Sequence, residues 1–285
     1  MSNQSNKPLV SVILSVFNDD ERIKEAVESI LNQTYKNFEL LIMDDGSTDR
    51  TFEIINSFKN NKIKIFQNQK NIGLTKSLNI LIKNSNGDYI ARQDSDDISL
   101  HNRLDKQYNF MHNKNLDACT TRAYIRNSKN SIPRFSHLLP TDWVIKYKNP
   151  FIHGTLLIKK EALFNVGLYD ERYQYSQDYK LYLELLDKNY IIKTLNKKLY
   201  VLNMTNNISN KKKDEQRRDF EKIKNNYFNW LFLNFIISII ISSKLNFGFH
   251  EYSLFNFIGA LTIFCESPVL SKVGSVTTKL SYSRS

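Results

Sequence analysis

The chain has 285 residues, 41% of them hydrophobic, which is enough apolar mass for one large domain or a core domain with an appendage and excludes a disordered or fibrous protein. A formal net charge of +11 calls for an anionic partner, which leaves nucleic acid, a phosphorylated substrate or a membrane surface open. Two cysteines, Cys119 and Cys265, cannot form a disulfide framework, and residues 1–8 lack the apolar core of a signal peptide, so a reducing, cytoplasmic setting is expected.

Val10 to Phe17 is a β-branched apolar run of strand length, and its near-continuous hydrophobicity predicts burial on both faces. Asn18-Asp19-Asp20 then offers capping residues before a helical pattern carrying Ile23, Ala26, Val27, Ile30 and Leu31. The rhythm repeats. Phe38 to Met43 reads as a strand ending at Asp44-Asp45-Gly46-Ser47-Thr48-Asp49, followed by a helix from about Thr48 to Phe58. Ile63 to Phe66 is a third short strand, Asn71-Ile72-Gly73 a turn and Leu74 to Lys83 a helix. Strands alternating with helices of this length predict right-handed crossovers, a Rossmann-like, mostly parallel sheet and helices on both faces. In such sheets ligands bind outside the carboxyl ends of the strands.

Gly87-Asp88-Tyr89-Ile90-Ala91-Arg92-Gln93 reads as a strand running into Asp94-Ser95-Asp96-Asp97. Three aspartates within four residues repel one another by about 4 kcal/mol per pair at 4 Å and an effective dielectric near 20, so a cation is expected among them. Hard divalent ions such as Mn²⁺ or Mg²⁺ take oxygen ligands and keep positions for substrate phosphates. An ordinary solvated acidic turn is the competing reading. Ser15, Asp44, Asp45, Asp94 and Asp96 all fall at or just past predicted strand ends, so one rim should collect them. No Gly-x-Gly and no Gly-x-x-x-x-Gly-Lys occurs, so a glycine cradle for phosphate is absent.

Beyond the acidic cluster the rhythm changes. Asn102 to Lys114 reads as a helix and Leu116 to Arg126 as strand material, while 126–150 is polar and long enough for a mobile loop near a substrate. Ile152 to Ile158, which contains His153, reads as a strand, Glu161 to Val166 as a short helix, and Asp178 to Leu186 as a helix with an apolar face. Asp178 at a helix start also suits simple capping, and His153 suits a core histidine as well as a ligand contact.

Together these residues resemble the family 2 glycosyltransferases of the GT-A fold, chiefly bacterial enzymes that build surface polysaccharides. The resemblance covers roughly residues 8–207 and rests on Val-Ser-Val-Ile-Leu-Ser at 10–15, Asp44 to Asp49, Asn71-Ile72-Gly73 with Asn79, Gly87 to Asp97, His153 and Asp178. It implies an inverting, metal-dependent transfer from a nucleotide-sugar donor, expected to be a UDP-sugar, to a glycan or lipid-linked acceptor. Residue by residue, it implies that Asp45, Asp44 and Ser15 lie at the base, that Asp94 and Asp96 hold Mn²⁺ or Mg²⁺ on the diphosphate, and that Asp178 is the catalytic base. Gln177 stands where the family commonly has Glu, which puts the shape of the acceptor pocket in doubt. Lys76, Arg92 and His153 are further candidates for phosphate or acceptor contact.

Residues 1–210 are expected to form the transferase domain and 211–285 a helical extension. Residues 193–224 carry ten basic and four acidic side chains without a nucleic-acid motif or interleaved aromatics, which sets a nucleic-acid partner aside. Trp230 to Ile241 and Phe247 to Phe264 are apolar but short of a spanning helix. A peripheral membrane contact through 211–265 and two helices packed on the domain both account for this pattern. A sugar nucleotidyltransferase and a non-catalytic binder of the same fold are the competing functions.

Overall fold

The computed structural model describes residues 7–205 and 212–244. The expected apolar stretch at 247–264, Cys265 and the first six residues lie outside the described residues, as does part of the proposed membrane-contact region. Strand β1 (Val10–Val16) is followed by α1 (Ile23–Leu31), β2 (Phe38–Asp44), α2 (Thr51–Ser57), β3 (Ile63–Gln67), α3 (Leu74–Asn84) and β4 (Tyr89–Asp94). Then come β5 (Ile98–Ser99), α4 (Arg103–Lys114), β6 (Ala118–Ile125), β7 (Ser131–Ile132), α5 (Thr141–Val144), β8 (Leu157–Lys159), α6 (Lys160–Asn165), α7 (Gln177–Asp187) and β9 (Ile192–Leu202). A helix over Lys213–Lys244 ends the described chain.

The nine described strands form one sheet in the order β3-β2-β1-β4-β8-β6-β9-β5, with β7 on β6. The first four are mutually parallel, β8 runs antiparallel to β4 and β6, and β9 is parallel to β6. The chain winds outward from β1 to β3 and then returns to place β4 on the other side of β1. The gap between β1 and β4 is therefore where the winding direction reverses.

Strand alternation divides the core. Val10, Val12, Leu14, Phe38, Leu40 and Ile42 point to the face covered by α1, α2 and α4, where Ile23, Ala26, Val27, Ile30, Ile55, Leu104 and Met111 are buried with them. Each fully buried Ile, Val or Leu contributes roughly 1.5–3 kcal/mol. Helix α3 lies against β1 and β2, yet its buried Leu78, Leu81 and Ile82 fall outside that cluster, which puts it on the opposite face.

Several expectations are corrected. Asn18-Asp19-Asp20 does not cap α1 through a side chain: Asp19 turns toward Arg22 and Ser95 instead. His153 lies in a 3-10 turn over His153–Thr155 and not in a strand, because Gly154 packs where any Cβ would stand 2.4 Å from Asp94 Oδ2 and 2.7 Å from Tyr200 Oη. The segment 126–150 carries β7, a 3-10 turn over Ser136–Leu138 and α5. Strands β5, β7 and β9 were not expected at all.

The chain separates into compact units over 1–223 and 224–285. Within the first, the start of the C-terminal helix packs on the approach to α7: Phe220 meets Tyr179 with ring centroids 4.3 Å apart, Ser176 Oγ donates to Gln216 O at 3.1 Å, and Ile223 is buried. Among the described residues no helix is long and apolar enough to cross a membrane.

A polar staple closes the sheet at the end away from the rim. The Glu39 carboxylate accepts bonds from Ser11 Oγ at 2.6 Å, Asn86 N at 2.6 Å and Lys64 Nζ at 2.7 Å, joining β1, β3 and the turn before β4. Burial alone would raise its pKa, but these donors outweigh burial and lower it. A lowered folded pKa gives stability that is full above the unfolded value near 4.3 and is lost as pH falls through the folded one. Glu39→Ala should therefore cost about 2–3 kcal/mol at neutral pH. In denaturant melts the difference from wild type should narrow in acid; an equal difference at neutral pH and below pH ~3 would show that the charge plays no part.

Candidate active site

Register brings the expected rim together. Ser15 on β1 stands between Met43 on β2 and Asp94 on β4, and Val16 stands beside Asp44. Asp45 follows directly, its N–H donating to Val16 O at 2.8 Å. Carboxylates separated by fifty residues thus share the C-terminal edge of three adjacent strands.

Asp44 and Asp45 are committed inward. Asp44 is fully buried, its Oδ1 accepting from Ser47 N at 3.2 Å and Oδ2 from Gln67 Nε2 at 3.1 Å. Asp45 accepts from Asn68 Nδ2, Ile72 N and Gly73 N at 2.8, 3.0 and 2.9 Å, fixing the turn that opens α3. Gly46 makes this possible: its φ is +76°, and a Cβ there would come within 2.6 Å of the Lys70 carbonyl carbon. Lys76 is exposed one turn further on.

Past β4 the chain turns tightly, with Asp97 N–H reaching Asp94 O at 3.4 Å. Asp97 is buried beside Asn203, whose N–H donates to its Oδ1 at 2.6 Å, and burial together with Asp94 and Asp96 pushes its carboxyl well up. Asp96 is pushed up to about 6 by burial and by the neighbouring Asp94 charge. Arg22 offers partial relief: it bonds Asp19 at 2.6 Å and approaches Asp96 Oδ2 at 3.9 Å.

Arg92 lies beneath the rim. Its side chain is 1% exposed, with Nη1 donating to Ile13 O and Gln93 O at 3.3 and 2.9 Å and Nη2 to Asp94 Oδ1. Its Nε is buried without a partner. A phosphate outside the rim is out of its reach, so its charge acts through Asp94. His153 is half-buried nearby, its Nε2 paired with Tyr169 Oη at 2.7 Å, and desolvation together with Arg92 lowers the pKa of the imidazole well below its usual value.

Asp178 occupies the first turn of α7, after Ser176 enters the helix with a left-handed φ of 56°. Asn149 Nδ2 donates to its Oδ2 at 2.7 Å, and Tyr179 N–H to its Oδ1 at 2.8 Å. Burial pushes the carboxyl up to about 6, and Asp94 is close enough for its charge to add to that shift. The hydroxyl of Tyr182 is buried without a hydrogen-bond partner and is influenced by Asp178, Tyr169, Arg92 and Asp94 alike.

The donor set suits a hard divalent cation. Asp94 and Asp96 offer carboxylate oxygens without a third ligating side chain, since no group of three His, Cys, Asp or Glu forms a cage among the described residues. An ion held by these two carboxylates would keep coordination positions for diphosphate oxygens. Sequence reasoning missed Arg22, Asn149, Gly154, Tyr169, Tyr182, Tyr200 and Asn203, each of which reaches this region through contacts distant in sequence. Only Gly154, adjoining His153 in an otherwise apolar stretch, left a local trace.

The profile of the family described as Glycosyl transferase family 2 matches residues 11–172, from β1 to five residues before α7. The putative glycosyltransferase EpsE of Bacillus subtilis is 32% identical over 200 residues, covering 68% of this chain and 72% of that protein. The UDP-Glc:alpha-D-GlcNAc-diphosphoundecaprenol beta-1,3-glucosyltransferase WfaP of Escherichia coli is 32% identical over 182 residues, covering 63% and 71%. The structure of S. aureus TarS 1–349 in complex with UDP-GlcNAc superposes with a TM-score of 0.59 at 22% identity, over 70% of this chain and 59% of that one, and speaks for the fold alone. The strand order, the acidic rim between β1 and β4 and a profile spanning more than half of the residues agree: the chain belongs to glycosyl transferase family 2, with its GT-A fold.

Proposed function

We propose that the chain performs inverting transfer of a sugar from a nucleotide-diphosphate donor, a UDP-sugar, to a hydroxyl of a glycan or lipid-linked acceptor in surface-polysaccharide assembly. The observation that carries this reading is the half-buried Asp178 carboxyl, oriented by Asn149 and near enough to the Asp94 rim to feel its charge. The names of WfaP, with a UDP-Glc donor and a diphosphoundecaprenol acceptor, and of the UDP-GlcNAc complex of TarS support the donor and acceptor classes.

In this reading Ser15 and the loop fixed by Asp44 and Asp45 border the base end of the donor, and Asp94 and Asp96 hold Mn²⁺ or Mg²⁺. The ion supplies Lewis acidity and a template for the diphosphate. Asp178 takes the proton of the acceptor hydroxyl as its oxygen bonds to the anomeric carbon from the face opposite the diphosphate. The bond from that carbon to the diphosphate oxygen breaks, and the nucleoside diphosphate leaves with the electron pair. One carboxylate suffices as base because the leaving group needs no protonated acid of the kind a hydrolase requires. Arg92 holds Asp94 from below, and His153 with Tyr169 walls the cleft.

Asp178→Asn should lower turnover by about 10²–10⁴-fold while leaving Mn²⁺-dependent UDP-sugar binding within a few fold, read by transfer assay and calorimetry. Equal, negligible turnover in wild type and variant would make the chain a binder only. The base works unprotonated, so kcat should reach a plateau above pH 7 and fall about tenfold per pH unit below about 6, the value to which Asp178 is pushed. Gly154→Ala places a Cβ 2.4 Å from Asp94 Oδ2 in the present geometry and must displace that carboxylate. It should weaken the Mn²⁺ requirement's half-saturation by at least about tenfold with a thermal midpoint lowered by only a few degrees; unchanged Mn²⁺ titration would remove Asp94 from the ligand set.

A further inference from the structure

Five large side chains in one short stretch of the acceptor half face solvent: Phe135, Leu138, Leu139, Trp143 and Tyr147 are 46% to 72% exposed. A run of this kind marks a surface that something covers. It is not core left unpacked, because the inward positions of the same segment are filled by Val144 and Ile145, exposed by 3% and 4%. The backbone beneath is fixed: Arg122 Nε donates to Pro133 O at 3.1 Å, His137 Nε2 pairs with Asn196 Oδ1 at 3.2 Å, and Tyr179 Oη donates to Ile145 O at 2.9 Å. Trp143 and Tyr147 stand side by side with ring centroids 5.3 Å apart.

Charge identifies the occupant. From Arg126 to Lys148 the chain holds five basic residues and one acidic one, Asp142, and Lys129, Arg134 and Lys148 are exposed. We propose that this platform docks on an anionic lipid surface, with the aliphatic and aromatic side chains in the headgroup boundary and the basic ones on the lipid charge. Trp and Tyr beside Phe and Leu, bordered by Lys and Arg, is the composition of an interfacial membrane contact. Lysine is depleted in protein–protein interfaces, which argues against a protein partner. Aliphatic Leu138 and Leu139 offer nothing to a glycan's hydroxyls.

The location gives the contact its use. Asn149, two residues after Tyr147, holds the proposed base Asp178 at 2.7 Å, and two residues span at most about 7 Å. Docking here sets the Asp178 side of the cleft beside the headgroups, where a hydroxyl on a lipid-anchored acceptor arrives. That consequence deepens the transferase reading and rests on it, whereas docking itself is measured without turnover.

The test uses the full chain with Trp230→Phe, which leaves Trp143 as the one tryptophan of the two in the sequence. Trp143 fluorescence should be quenched by brominated phosphatidylglycerol vesicles, not by brominated phosphatidylcholine ones, and salt should reverse the quenching. Leu138→Ser with Leu139→Ser, or Lys146→Glu with Lys148→Glu, should lower the apparent partition coefficient at least about tenfold. Sedimentation with vesicles while Trp143 emission stays unchanged would move the contact elsewhere in the chain and overturn the proposal. Equal quenching by neutral vesicles, or concentration-dependent shielding of Trp143 without lipid, would overturn it equally. Transfer to a soluble acceptor measured alongside keeps such a failure separate from failure of the transferase reading.

Discussion

The site depends on how a parallel strand can end in carboxylates without flying apart. Asp94, Asp96 and Asp97 crowd one tight turn, and at about 4 Å each pair of charges opposes folding by roughly 4 kcal/mol at an effective dielectric near 20. The protein relieves this from below and from the sides: Arg92 holds Asp94, Asn203 bonds Asp97, and Arg22 leans toward Asp96. Burial then keeps Asp97 largely protonated and raises Asp96 to about 6. The turn after β4 thus keeps its three carboxylates together with one cation beneath them and one beside them.

Arg92 explains why this arrangement is rigid. A buried guanidinium costs several kcal/mol of desolvation, offset only where its geometry is good and its donors are used. Two nitrogens are satisfied by Ile13 O, Gln93 O and Asp94, while Nε is not, so the side chain stays at some cost to stability. Its field reaches further. Together with burial it lowers the pKa of His153, and it acts on Tyr169 and Tyr182, which also feel Asp94 and Asp178.

The donor half was legible in the sequence because its elements are periodic. β1 and β2 are continuous apolar runs buried on both faces, α1 and α3 carry apolar residues at helical spacing, and the acidic strings fall at strand ends, so rim and topology followed from local pattern. The other half follows different rules. β9 reads Ile-Lys-Thr-Leu-Asn-Lys-Lys-Leu-Tyr-Val-Leu, with its lysines on an open face, and its register against β6 shifts around Arg122, so neither alternation nor composition announces a strand. Asn149 and Asp178 meet across a separation of twenty-nine residues that includes β8 and α6, a contact that no local spacing encodes.

That contrast has a physical cause with consequences for specificity. Ser15, Asp44 and Asp94 are placed by ladder register, and a one-residue slip would turn every side chain of their strands to the wrong face. On the acceptor side Asp178 is placed by side-chain contacts from two separate segments: Asn149 from the stretch before the His153 turn, and the start of the C-terminal helix through Ser176 and Phe220. Such supports can be exchanged without disturbing the sheet, since loop backbone tolerates substitution that a central strand does not. The family profile over residues 11–172 includes Asn149 and stops short of Ser176, Asp178 and Phe220. The contacts that place Asp178 thus fall on both sides of the profile's end, whereas Ser15, Asp44, Asp45, Asp94 and Asp96 all lie within it.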